Sequence, residues 1–241
     1  MTKMYTANQP LLLGGQTYMW NRYFQAKNLV HMMEAQFTKF GHQSRIELLN
    51  SQGQKQMFIV PLEDRNFRPL NDVYLQHPDK VGELFVKTLD ALYPVSKVKD
   101  ADFRWGLVET FLKNSRYSLG RLNVAVTDYI WGYLFCYMEG YATHISTKVL
   151  PTRPQDPSEW VAAMGDAINC TRYLGGGVAA QAYLQEQHFT DRQMRFESQD
   201  YKMPAYPVKK GVENSDAYVS ILDPIFRLGK EATLELIGGK A

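Results

Sequence analysis

The pattern that most constrains the fold is a strand-like run followed by a glycine turn and a helix-like segment, and it occurs twice. The first copy covers residues 11–33, with Gly14-Gly15 at the turn and Thr17 placed to cap a helix whose apolar spacing continues to its end. The second copy covers residues 173–187, with three glycines at 175–177. Strands that alternate with helices in this way favour an α/β fold over an all-helical one.

A β-hairpin is predicted between the two copies. Arg45–Leu49 and residues 56–61 are strand-like runs, and the turn-forming residues 50–53 (NSQG) join them. The hairpin adds antiparallel strands to the prediction. We therefore expect mixed sheet segments flanked by helices.

The middle of the chain is predicted to be helical, from Pro78–Leu92 onward to residue 141, because apolar residues recur there at spacings of three and four. Residues 151–157 contain three prolines and form the predicted linker. We expect residues 1–150 to form an N-terminal α/β half with this helical segment. Residues 151–241 are expected to form a C-terminal α/β half that packs on the first.

Composition excludes several classes of protein. The 27 basic and 25 acidic side chains give a formal charge of +2, which does not suit a protein that coats nucleic acid. The two cysteines, Cys136 and Cys170, lie in apolar helix-like segments and are expected to be buried free thiols. The five histidines have no metal-ligand spacing, so we predict no metal site and identify no cofactor. No apolar run is long enough to cross a bilayer, which predicts a soluble, cytoplasmic protein without a membrane partner.

The segment between the first helix and the hairpin carries an unusual mixture of polar groups. Gln36, Lys39, His42, Gln43 and Arg45 fall within ten residues. The segment is either a solvated connection or one wall of a site that holds an anionic ligand, since Arg and Lys are suited to phosphate and carboxylate groups. His42 is either a structural residue or an acid–base group.

Other candidates lie in the second half. The glycines at 175–177 are either a tight turn or a backbone N–H cradle for a phosphate, although they lack the G-x-G-x-x-G spacing. Asp223 is either a capping or solvent-facing acid, or a general base beside an arginine. Tyr201 and Tyr206 either supply a ring platform for a sugar or base, or belong to a loop packed on the core.

Four blocks of sequence resemble the WbqC-like family, and they cover nearly the full length. Gln9-Pro10 and residues 20–24 (WNRYF) are similar to the family's Q-P opening and its G-Y-F helix start, with arginine at the position of the glycine. Residues 36–39 (QFTK), Arg45 and residues 58–61 (FIVP) are similar to V-Q-Y-x-K, N-R-N and T-I-P-V.

The two remaining blocks lie near the other end of the chain. Residues 173–176 (YLGG) with 183–184 (YL) look like the family's Y-L-S-G and Y-L-D, and residues 220–229 (SILDPIFRLG) are similar to S-I-L-D-x-L-F-x-x-G. The chain departs from the pattern at residues 42–44 (HQS) and at Gly175, which stands in place of serine. If the side chains at these positions contact the substrate, the substrate of this chain differs from that of most relatives.

The resemblance implies an intracellular α/β transferase, of the kind that occurs in bacterial polysaccharide clusters, which attaches an aminoacyl or acyl group to an amino sugar. We expect a small phosphorylated or carboxylated substrate, with Asp223 and His42 as catalytic residues. The predicted substrate-binding residues are Gln9, Gln36, Lys39, Arg45, Gly175, Gly176, Gly177, Tyr183, Tyr201, Tyr206 and Ser220. Two alternatives stay open: a virus-type transferase that modifies nucleobases in DNA, and a non-catalytic protein that binds a small ligand.

Overall fold

The computed structural model describes residues 3–39, 41–63, 67–177 and 184–238. In chain order the strands are β1 (Met4–Asn8), β2 (Asn28–His31), β3 (Arg45–Leu49), β4 (Lys55–Ile59), β5 (Ala142–Ile145), β6 (Arg172–Gly175), β7 (Arg195–Ser198), β8 (Tyr206–Lys209) and β9 (Val212–Asn214). The helices are α1 (Thr17–Ala26), α2 (Pro78–Leu92), α3 (Ala101–Asn114), α4 (Leu119–Phe135), α5 (Ser146–Val149), α6 (Pro157–Ala167), α7 (Gln187–Thr190), α8 (Leu222–Leu228) and α9 (Lys230–Gly238).

A parallel five-stranded sheet in the order β5-β2-β1-β6-β7 forms the centre. Its inner strands are buried on both faces: Leu29 packs into a large core with α1 and α4, while its neighbour Val30 packs into a smaller core with Trp160 of α6. Two antiparallel pairs, β3 with β4 and β8 with β9, lie outside this sheet. The predicted α/β class is confirmed.

The strand order reverses beside β1. The chain passes from β1 to β2 and then to β5 on one side, and it continues with β6 and β7 on the other side. In open α/β sheets the crevice outside the carboxyl ends of the strands at such a reversal is the usual place for a ligand. Here those ends are Asn8 of β1 and Gly175 of β6.

The predicted elements differ from the observed ones mainly at their ends. The hairpin is confirmed, with Arg45 opposite Ile59. The prediction that the first helix continues to residue 33 is wrong, because Lys27 adopts a left-handed conformation (φ 62°) that ends α1, and the apolar residues after it form β2. The predicted helix at 178–187 falls largely outside the described residues.

The two predicted halves contribute to one sheet, because β6 pairs with β1 across the sequence boundary at residues 151–157. The expectation of two buried thiols is right for Cys170 and wrong for Cys136, which lies exposed after the last residue of α4. Among the helices of the described ranges, none combines the length and apolarity that crossing a bilayer requires.

Candidate functional site

A cavity of about 530 Å³ opens at the carboxyl edge of the sheet. Asn8 and Gln9, which end and follow β1, line it together with Met32 after β2 and Gly176 after β6. The cavity therefore lies at the reversal of strand order, where the topology alone favours a binding site.

One wall of the cavity is the polar segment between β2 and β3, and side-chain amides fix it to the end of β1. The Gln43 amide donates to Gln9 Oε1 at 2.5 Å and accepts from the Thr38 hydroxyl at 2.9 Å. Behind it, buried Asn123 of α4 donates to the carbonyls of Pro10 and Gln43 at 3.1 and 2.8 Å. These hydrogen bonds fix the position of the wall, and none of the side chains that make them is a carboxylate.

Another part of the lining comes from the start of α1: Gln16, which precedes the helix, and Met19 and Arg22 within it follow one another at three-residue spacing. Gln16 is 1% exposed, and within the described residues neither atom of its amide has a hydrogen-bond partner. Arg22 is 6% exposed; its Nη2 donates to Asn8 Oδ1 at 3.4 Å, and its Nε has no partner in the same ranges.

Gly176 allows the chain to pass directly against the Arg22 guanidinium. A Cβ atom at Gly176 would lie 2.1 Å from Nη1 of Arg22, which is inside van der Waals contact. The absence of a side chain at Gly176 therefore leaves room for the Arg22 guanidinium. This contact was not predicted from the sequence. The turn continues through Gly177, which has a left-handed conformation (φ 48°).

The described lining of the cavity contains two arginines and one histidine but neither aspartate nor glutamate. The second arginine, Arg153, is exposed at the rim. Its guanidinium lies 4.1 Å from the centre of the Trp160 ring, and its Nη1 donates to the carbonyl of Glu34 at 3.1 Å. Positive groups without carboxylates make the cavity suited to an anionic ligand.

His42 is exposed and lies on the polar wall. Partial desolvation, together with the nearby Arg45 guanidinium, lowers the pKa of its imidazole, and Glu47 opposes this effect. This direction favours the neutral form of the ring at neutral pH. A neutral imidazole can accept a proton from an amine or hydroxyl.

Apart from the end of β1 and the residues just after it, the segments that line the cavity run from Gln16, before α1, to Leu184, after the turn that follows β6. A family model described as the WbqC-like protein family matches residues 16–235, which include both. The chain belongs to the WbqC-like protein family. No curated protein sequence matches it significantly.

In this WbqC-like chain Asp223 does not line the cavity. It is 0% exposed, and its carboxylate accepts from the hydroxyls of Tyr93 and Tyr206 at 2.7 Å each and from Arg227 Nε at 2.8 Å. Arg227 also donates to the carbonyls of Leu49, Asn50 and Val208. Asp223 and Arg227 thus join α8 to the hairpin and to β8. Burial of the Tyr206 hydroxyl, together with the negative charge of Asp223, raises the pKa of Tyr206.

Ser220 does not line the cavity but helps to position the start of α1, which does. It pairs with Gln16 through the backbone, and Ile221 donates to the carbonyl of Gly15, so the SILD motif fixes the start of α1. Tyr201 lies apart from the cavity in a small cluster, where its hydroxyl donates to the Leu236 carbonyl at 2.9 Å.

The structure therefore brings four predicted residues to the cavity: Gln9, Gln36, His42 and Gly176. Tyr183 lies outside the described residues. Seven other predicted residues are described but are not part of the lining: Lys39, Arg45, Gly175, Gly177, Tyr201, Tyr206 and Ser220.

Sequence analysis missed Gln16, Arg22 and Arg153. Arg22 carried a signal, because it stands at the glycine of the family's motif, on an otherwise apolar helix face that includes Met19 and Tyr23. Gln16 and Arg153 carried none, because their significance depends on burial and on a neighbouring ring. In the described ranges, no three His, Cys, Asp or Glu side chains come together as a metal site.

Proposed function

We propose that the cavity is the active site of a group transferase. It holds a small anionic metabolite such as an activated sugar, and an acyl or aminoacyl group is passed to an amine or hydroxyl of that metabolite. The observation that carries this proposal is the buried arginine, Arg22.

Burying a cation is unfavourable unless an anion or a full set of acceptors compensates it. The described neighbours of the Arg22 guanidinium are neutral: it makes one long hydrogen bond to Asn8 and interacts with the Tyr23 hydroxyl, and no ion pair with a carboxylate is found among the described residues. A phosphate or carboxylate in the cavity would supply the missing anion, and guanidinium binds such groups in a bidentate manner.

The remaining groups suit the chemistry of transfer. An amine or hydroxyl attacks the carbonyl carbon of the activated group, a new C–N or C–O bond forms, and the bond to the leaving oxygen breaks. His42 accepts the proton that the nucleophile loses. Arg22 and Arg153 supply positive charge that holds the bound anion and stabilises the negative charge on the oxygen that leaves the acyl donor, and this is the larger contribution expected in such a site.

A thermal-shift screen over nucleotide sugars, amino acids, acyl phosphates and oligonucleotides tests the proposal. A ligand present at 100 times its Kd adds about 2.7 kcal/mol to the free energy of unfolding, which raises Tm by about 5–10 °C for a chain of this size. We expect an anionic compound to produce such a shift with the wild type. The Arg22→Met variant should show no shift, while Arg195→Met, which removes an exposed arginine of β7, should respond as the wild type does.

Three outcomes separate the candidate functions. Loss of turnover in a His42→Gln variant that still binds ligand supports the transferase. If a ligand binds but no tested pair of donor and acceptor gives turnover, the protein is a non-catalytic binding protein. A shift that only oligonucleotides produce, and that falls steeply with salt, indicates the DNA-modifying alternative. An equal shift in the Arg22→Met variant would contradict the proposal.

A further inference from the structure

Three side chains of the described lining carry a buried polar atom without a partner in the described residues: Gln16, Arg22 and, through its Nε1, Trp160. Gln16 is the residue before α1 and Arg22 is the sixth residue of that helix, so their Cα atoms are about 9 Å apart along the helix direction. Both side chains line the same cavity, so a ligand with two recognition groups can contact both of them.

The Gln16 amide specifies what the far end of the ligand must offer. Its Nε2 is a donor and its Oε1 an acceptor, and within the described residues both are buried without a partner. Buried polar groups in native proteins are normally paired, so a ligand that satisfies both is a sufficient explanation. One planar group that presents an acceptor beside a donor meets the requirement, and glutamine reads the edge of a nucleobase in this way.

The cavity also offers a surface for a flat ring. The Arg153 guanidinium is stacked on Trp160 at 4.1 Å, and bases stack on guanidinium planes. The volume of about 530 Å³ is in the range of small-molecule and cofactor sites.

We propose that the ligand of this cavity is a nucleoside phosphate, with the phosphate on Arg22 and the edge of the base on Gln16. The inference rests on the proposed function, since it names the substrate class of the same site. Arg22 would hold the phosphate, and the base would be the part of the ligand by which the enzyme selects its substrate.

Isothermal titration tests this with UMP, CMP, AMP and GMP, together with ribose 5-phosphate and N-acetylglucosamine 1-phosphate as probes that lack a base. For the wild type we expect at least one nucleotide to bind about 5- to 100-fold more tightly than ribose 5-phosphate. The Gln16→Leu variant should lose that advantage and retain the affinity for ribose 5-phosphate. The control is Gln25→Leu, which changes an exposed glutamine on the same helix and should bind as the wild type does.

The Gln16→Met variant keeps the length of the side chain, adds no charge and removes both the donor and the acceptor, so it provides the same test if Gln16→Leu does not fold. It should weaken the preferred nucleotide and leave ribose 5-phosphate unchanged. The inference is overturned if nucleotides bind no better than ribose 5-phosphate, if both Gln16 variants keep the wild-type preference, or if N-acetylglucosamine 1-phosphate binds more tightly than every nucleotide.

The failure of this inference differs from the failure of the proposed function. If phosphate esters bind in an Arg22-dependent manner with the same affinity whether or not they carry a base, the proposed anion site at Arg22 is supported and only the proposed base contact at Gln16 is wrong. If no anion binds in an Arg22-dependent manner, both fall.

Discussion

Replacement of Arg22 by methionine should stabilise the ligand-free protein while abolishing its response to ligand. The side chain is 6% exposed, its Nε has no partner in the described residues, and its Nη2 makes one long bond to Asn8. Methionine has a similar length and no charge, so it removes the buried cation and keeps most of the apolar contacts.

The size of the effect follows from two opposing contributions. An unsatisfied buried polar group costs about 1–3 kcal/mol, and more when it is charged. The bond to Asn8 is worth about 0.5–1 kcal/mol at its 3.4 Å length. The net expectation is an increase of about 1–2 kcal/mol in the free energy of unfolding, or about 2–8 °C in Tm.

Urea denaturation followed by circular dichroism measures the change, with Arg195→Met as the matched control. Because Arg195 is exposed, its replacement should alter the free energy of unfolding by no more than about 0.5 kcal/mol. A site that lowers stability in order to bind ligand is a recognised trade-off. A loss of more than about 1 kcal/mol in ligand-free Arg22→Met would show that Arg22 is a structural residue and would refute the reasoning.

Three further predictions concern neighbouring features. Asp223→Asn should lower the free energy of unfolding by about 2–4 kcal/mol in urea melts, because the charge of Arg227 loses its buried partner; a loss below about 1 kcal/mol would contradict the structural role. The folded-state pKa of His42 is lowered, so the unfolded chain binds a proton first as pH falls through about 6.5, and the free energy of unfolding decreases there. His42→Gln should remove part of this decrease between pH 7.5 and 5.5. If the free energy of unfolding of the variant depends on pH as that of the wild type does, the lowered pKa of His42 is contradicted. Gly176→Ala should weaken anion binding at least tenfold by calorimetry, since its Cβ would displace the Arg22 guanidinium; wild-type affinity would exclude that contact.

The parts of the fold that follow local rules were predictable. The hairpin was marked by its turn residues, and α2 by the proline at its first position and the proline that follows its end. The strand β2 was not predictable from periodicity, because the apolar run after α1 continues the helical spacing. Its burial between β1 and β5 decides its conformation, and that is a tertiary effect.

The site was predictable only where its residues are close in sequence. The polar wall that includes Gln36 and His42 was foreseen because several chemically suited side chains fall within ten residues. Asp223 was misleading, since a carboxylate in an apolar helix suggests chemistry as readily as it suggests a buried link to Tyr93 and Arg227. The significance of Arg22 depends on the absence of a nearby carboxylate in the described structure, which no pattern in the sequence reveals.

The central claim is that the cavity at the reversal of strand order binds an anion through Arg22. The most direct measurement is anomalous diffraction from crystals soaked in selenate, which has the shape and charge of a phosphate-like group. We predict an anomalous peak within hydrogen-bonding distance of the Arg22 guanidinium, beside the turn at Gly176. Selenate bound only to other cationic side chains, with no peak at Arg22, would contradict it.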